Sequence, residues 1–192
     1  VKDALVGMIA VISEKLSIRR EEKVEEADGV LANYSHDGGR ISVIVDASTA
    51  VVNDEIREAI RNIAMQVAAL SAEYVDVADV SEEKKAHEKE ILMANIIKEN
   101  EELPEEKRKP QQILEKQLIG RLNKELKEIC LNDQIYVKAE DGKQTVAQYL
   151  AEVGKKNGTE IKIRKFVRWE VGEGMEHRQE NFAEEVMKQA QG

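Results

Sequence analysis

The chain has 192 residues, 42% of them apolar and only 4% aromatic, so it can build one substantial core or two small ones, mainly from Ile, Val, Leu and Ala. With 38 acidic against 29 basic residues the net charge is −9, which repels phosphate backbones and argues against direct nucleic-acid binding. Cys130 is the single cysteine, which excludes an intrachain disulfide and fits a reducing, cytoplasmic setting, and no apolar run approaches the ~20 residues that span a bilayer, so no membrane association is expected.

The chain enters directly on a helical pattern, with Leu5, Met8, Ile9, Ile12 and Leu16 on one stripe and no N-cap residue ahead of Val1, which predicts a cut N-terminus. The helix feeds a strand-like run, Leu16-Ser17-Ile18-Arg19-Arg20. The same unit recurs at an offset of 145 residues, where a helix striped by Val146, Tyr149, Leu150 and Val153 precedes Ile161-Lys162-Ile163-Arg164-Lys165. That offset is too long for a solenoid repeat and predicts two related subdomains, one with an insertion.

After Gly29, Val30 to His36 leads through Asp37-Gly38-Gly39 into Arg40 to Val45, which predicts a β-hairpin. From Asp54 to Leu70 the residues Ile56, Ile60, Ile63, Val67 and Leu70 mark one face of a helix that Asn53 or Asp54 can cap. A short strand is expected around Tyr74 to Val77.

Ser81 to Glu128 carries no aromatic residue and shows two leucine-rich stripes, Leu92, Ile96 and Leu103, then Leu114, Leu118, Leu122 and Leu126. Pro104 and Pro110 bracket a charged stretch, so the first helix should stop near Leu103 and the second start near Pro110. The pattern predicts a projecting antiparallel helical hairpin inserted in the second subdomain. Lys107-Arg108-Lys109 at its tip reads as solvated charge.

Further on, Asp133 to Lys138 reads as a strand, Thr145 to Val153 as a helix, and Glu160 to Val171 as a long strand with Ile161, Ile163, Val167, Trp169 and Val171 on its buried face and Phe166 as the exception. A last helix is expected over Glu180 to Ala190. Strand pairs with helices on one side give an α+β antiparallel class: two related subdomains with small antiparallel sheets packed by helices, plus the inserted hairpin. The divisions expected are 1–28, a remnant of the first subdomain made of a helix and a strand; 29–80 with 129–175, the second; 81–128, the hairpin; and 176–192, a C-terminal helix module.

Chemistry is sparse. There is no Gly-x-x-x-x-Gly-Lys loop, and Gly172-Glu173-Gly174 lacks the glycine and helix of a dinucleotide site. His87-Glu88-Lys89-Glu90-Ile91 has Ile where a zinc-protease helix needs its second histidine, so no metal is expected. His36 and His177 lie far from Cys130 in sequence, and Ser81-Glu82-Glu83-Lys84 reads as an N-cap with acidic residues in the first turn. No catalytic residue and no cofactor are expected. A binding surface remains.

The residues that carry it are recognisable. Ile63-Ala64-Met65-Gln66-Val67-Ala68-Ala69, the hairpin from Tyr34-Ser35-His36 to Gly39-Arg40-Ile41, Glu115-Lys116 with Gly120-Arg121-Leu122, Cys130-Leu131 with Gln134, and Phe166-Val167-Arg168-Trp169-Glu170-Val171-Gly172-Glu173-Gly174 together resemble translation elongation factor Ts. The match runs in order along almost the whole chain. The resemblance implies a guanine-nucleotide exchange factor, not an enzyme, that binds the GTPase elongation factor Tu, with a core of two related subdomains and an inserted antiparallel coiled coil. It also implies an absence: members normally begin with a three-helix domain and a hairpin ending in Thr-Asp-Phe-Val, whose Asp and Phe intrude near the magnesium site of the GTPase. Here Asp46-Ala47-Ser48-Thr49-Ala50-Val51 follows the hairpin, like the degenerate copy in the second subdomain of longer members, so the chain looks like the C-terminal two-thirds of a long-type factor.

Partner-binding positions carried over by the resemblance are Ile12 and Ser13, where the family often has Ile-Gly, and His36 of the Tyr-x-His motif. Ser in place of Gly puts a backbone-close contact at residue 13 in doubt. Read without the resemblance, His36 closes the hairpin and Ile12 is core of the first helix. Met65 and Trp169 read as core in either case. Two competing functions stay open, a scaffold that forms a homodimer through the helical hairpin and an enzyme with an unrecognised site, which would need a pocket holding a carboxylate or histidine of strongly perturbed acidity.

Overall fold

The computed structural model describes residues 1–25 and 28–174. Helices α1 (Lys2–Ile12), α2 (Asp54–Leu70), α3 (Glu82–Glu101), α4 (Gln111–Ile129) and α5 (Val146–Lys156) combine with strands β1 (Gly29–His36), β2 (Ile41–Thr49) and β3 (Ile161–Glu170) in a mixed α+β structure. The strands form one antiparallel sheet in the order β1-β2-β3. The helix expected over Glu180 to Ala190 lies outside the described residues.

β2 is central, and its alternation puts Val43, Val45 and Ala47 on one buried face. On that face lie α2, with Ile56, Ile60, Ile63 and Val67 all fully buried, and α5, with Val146 and Leu150. Each of these isoleucines contributes about 1.5–3 kcal/mol by leaving water. The helix starts are fixed by side chains. Asn53 accepts from the N–H of Ile56 (2.9 Å), Ser81 from that of Lys84 (3.2 Å), and Thr145 with Gln148 closes a capping box on α5. At the end of α5 a Cβ on Gly154 would lie 2.6 Å from the carbonyl oxygen of Thr159, so glycine lets the chain turn tightly into β3.

α3 and α4 pack through Leu92 and Ile96 against Leu114 and Leu118, flanked by Met93 and Leu122. Arg121 grips Glu99 with two nitrogens (2.9 and 2.6 Å). At the far end Asn100 both donates to and accepts from the backbone of Lys109, and Arg108 donates to the carbonyls of Glu101 and Leu103. Arg108 is therefore a cap on the last carbonyls of α3 rather than idle solvated charge. At the base, Leu126 and Cys130 pack with Val80.

Four expectations change. First, α1 stops at Ile12 and does not reach Leu16. It buries no residue, so no packing rewards another turn, and Ser13 closes it in the left-handed conformation (φ 62°) with its N–H on the carbonyl of Ile9 (2.8 Å). Second, residues 14–25 form no strand, so the helix-then-strand unit appears once, at α5 and β3. Arg20 and Glu22 lie against the sheet residues Trp169 and Lys165 through their side chains instead of joining the ladder.

Third, Asp133 to Lys138 and Tyr74 to Val77 make only single bridges, Ile135 to Thr145 and Tyr74 to Cys130. In the first, the side chain of Gln66 takes the place of a neighbouring strand, donating to the carbonyl of Ile135 (3.0 Å) and accepting from the N–H of Val137 (2.8 Å).

Fourth, the faces of β3 switch midway. A bulge between Asp46 and Ala47 of β2 leaves Arg164 as the extra residue, so Ile163 pairs with Ala47 but Lys165 pairs with Asp46. Beyond it the parity inverts. Phe166 packs on the core opposite Val45, and Val167 and Trp169 turn to the outer face. Arg164 is held there by Asp46 (3.0 and 2.8 Å) and by Asp28.

Candidate partner-binding surface

His36 is the last residue of β1 and enters the Asp37–Gly39 turn, where Asp37 (φ 50°), Gly38 and Gly39 all have positive φ. Its ring is exposed. Tyr34, two residues earlier on the same face of β1, places its hydroxyl 3.1 Å from His36 Nδ1, with ring centroids 6.0 Å apart at an interplanar angle of 27°. Tyr34 itself packs against the core. The bond to His36 within the hairpin is thus made by a side chain.

Ile12 and Ser13 form the C-terminal end of α1. Ile12 is 48% exposed, so it is not core of its helix and can touch a partner. The left-handed conformation of Ser13 gives a local reason for glycine at this position: it is the residue that closes the helix, and L side chains are strained there. No hydrogen bond or salt bridge joins Ile12 or Ser13 to His36 among the described residues.

The segment beyond Ser13 does reach the His36 end of the sheet. The Arg20 guanidinium lies 5.3 Å from the Trp169 ring centroid and 3.4 Å from a Glu173 carboxyl oxygen; Arg19 donates to the Glu173 carbonyl; Lys165 meets Glu22 at 3.0 Å. The backbone N–H of Glu170, with help from Arg20, holds the Glu173 carboxyl below its ordinary range. Trp169 is therefore half-buried under Arg20 on the outer face of the sheet, not core. Sequence reasoning missed this ensemble because the bulge at Arg164 reverses the alternation on which it relied.

The family model described as Elongation factor TS matches residues 1–173. This chain belongs to the elongation factor Ts family. It is similar to the elongation factor Ts of Clostridioides difficile (strain 630), 44% identical over 188 residues, covering 98% of this chain and 58% of that protein. The corresponding proteins of Clostridium novyi (strain NT) and Clostridium botulinum (strain Eklund 17B / Type B) are 42% and 38% identical, each over 98% of this chain and 58% and 59% of theirs. The chain thus spans a little under three-fifths of the length of these relatives.

Within this family member the groups displaced furthest from ordinary acidity have structural causes. Burial pushes the Cys130 thiol up to about 11, and the carboxylates of Asp133, Asp76 and Asp79 add to the shift, so at neutral pH it is neither thiolate nor accessible nucleophile. Tyr136 is raised by burial and then by the neighbouring Tyr149 hydroxyl, and its ring stacks on that of Tyr149 with 4.0 Å between centroids. No group of three or more His, Cys, Asp or Glu side chains able to hold a metal ion occurs among the described residues, and no described helix is long and apolar enough to cross a membrane.

Proposed function

We propose that this chain acts as a guanine-nucleotide exchange factor for elongation factor Tu in translation elongation, in the cytoplasm, working by protein binding and not by making or breaking a bond. The observation that carries the reading is the family match over residues 1–173. Its core is read as the second of two related subdomains, 29–80 with 129–175, with 1–28 belonging to the first and α3 and α4 as an inserted coiled coil. The partner-binding positions are Ile12, Ser13 and His36, which lie at exposed ends of α1 and β1.

The mechanism is differential binding. A factor that binds the nucleotide-free GTPase more tightly than the GDP-bound form must, by linkage, weaken GDP binding by the same factor. The sequence contains no Thr-Asp-Phe-Val, and Asp46 to Val51 stand after the hairpin. The 192 residues by themselves, without that motif, are read as binding the GTPase better than they accelerate release. Stopped-flow measurement of labelled GDP leaving elongation factor Tu tests this: weak acceleration is expected, and acceleration equal to that of a full-length family member contradicts it.

A scaffold that dimerises through the helical pair is the second reading, favoured by the exposure of Ile113 and Ile119 on α4. Gel filtration at several concentrations, with and without elongation factor Tu, separates the two.

A further inference from the structure

We infer that Tyr34 is a positioning residue that presents His36 to the partner as a hydrogen-bond donor through Nε2. The inference rests on the reading of His36 as a partner contact, and adds to it the chemistry of what the histidine meets.

The Tyr34 hydroxyl and His36 Nδ1 are 3.1 Å apart, and only one of them can donate. A phenol donates readily, while its oxygen lone pair is drawn into the ring and accepts poorly. In neutral imidazole the tautomer with hydrogen on Nε2 is the commoner one. Both preferences agree: Tyr34 donates, Nδ1 accepts, and the hydrogen sits on Nε2. Nε2 has no partner among the described residues, and the ring is exposed.

The arrangement is anchored from below. Tyr34 packs on the buried core of the sheet, opposite Val43 of β2, so its hydroxyl is a fixed post and not a second flexible side chain. Beyond His36 the chain turns through positive-φ residues, which hold the ring at the edge of the molecule. An imidazole with its tautomer fixed in this way is complementary to an acceptor, a backbone carbonyl or a carboxylate, and mismatched to a donor. The ordering of the ring before binding also lowers the entropy lost on contact.

The substitution Tyr34→Phe keeps the ring in the core and removes the hydroxyl. Long-range proton–nitrogen NMR of His36 in the neutral form should show Nδ1 as the unprotonated nitrogen in the parent chain and a shift towards mixed tautomers in Tyr34→Phe. Identical nitrogen shifts in the two proteins would overturn the inference. Affinity for nucleotide-free elongation factor Tu should fall about fivefold in Tyr34→Phe, the effect of one modest hydrogen bond, and adding Tyr34→Phe to His36→Ala should cost nothing more. Full affinity in Tyr34→Phe, where His36→Ala binds weakly, would overturn the positioning role. If His36→Ala itself binds like the parent, the contact at His36 fails and the acceptor with it, while the nitrogen shifts still decide whether Tyr34 sets the tautomer.

Discussion

The side-chain amides of Gln66 and Gln134 are hydrogen-bonded to each other in the interior, Nε2 of the first to Oε1 of the second at 3.2 Å. Gln66 uses its remaining capacity on Ile135 and Val137, and Gln134 donates to the carbonyl of Glu128 near the end of α4 (2.7 Å) and, more weakly, to that of Leu70 (3.4 Å). One pair of amides thus joins the ends of α2 and α4 to the loop that succeeds α4. Buried amides in a complete network are tolerated; one partner left alone is costly.

Gln66→Leu removes the groups that satisfy Ile135 and Val137 and strands the Gln134 oxygen. A loss of about 2–3 kcal/mol is expected, read as a lower urea midpoint with an unchanged slope. A loss within the error of the extrapolation would mean that water replaces the amide, and that the loop is not held from α2.

The helical pair should be separable from the body above its base. Leu92, Ile96, Leu114 and Leu118 pack among themselves, whereas Leu126 and Cys130 pack with Val80 beneath. Because Val80 and Leu126 share one cluster, the ends are close and a short linker can close them. Replacing 84–122 with a Gly/Ser linker should leave the remainder unfolding cooperatively, with Cys130 still protected from thiol reagents. A broad, non-cooperative melt of that variant would show the helical pair to be part of the core.

Ser13→Gly should stabilise the end of α1. The residue occupies the left-handed region at φ 62° while keeping the closing bond to Ile9, so removing its Cβ relieves about 1 kcal/mol of strain, less the entropy that glycine brings. Slower amide exchange at Ile12 and Ser13 is the expected result. Faster exchange would mean that the Ser13 side chain contributes to the cap.

Much of this fold is legible where one physical rule acts alone. Asp37-Gly38-Gly39 between β-rich runs gives the hairpin, the spacing of Ile56, Ile60 and Ile63 gives α2, and Pro104 and Pro110 divide α3 from α4 within a few residues. Legibility fails where a side chain from elsewhere replaces a local rule. Gln66 stands in for a strand beside Ile135 to Val137, and the bulge at Arg164, paired with Asp46 and Asp28, moves Phe166 into the core and Trp169 out of it. Neither partner is adjacent in sequence, so no periodicity records it. Of the proposed partner-binding positions, His36 could be placed at its turn from the Tyr-x-His pattern. The exposure of Ile12 could not, because its stripe looks like that of any buried helix until the helix is seen to bury nothing.

Differential binding leads directly to one measurement: the affinity of this chain for elongation factor Tu, nucleotide-free and GDP-bound, determined by titration calorimetry under the same buffer conditions. Tighter binding to the nucleotide-free GTPase is expected, with the ratio of the two constants equal to the factor by which the chain weakens GDP binding to the GTPase. Equal affinities for the two forms, however tight, would leave no free energy to displace the nucleotide and would contradict the exchange mechanism.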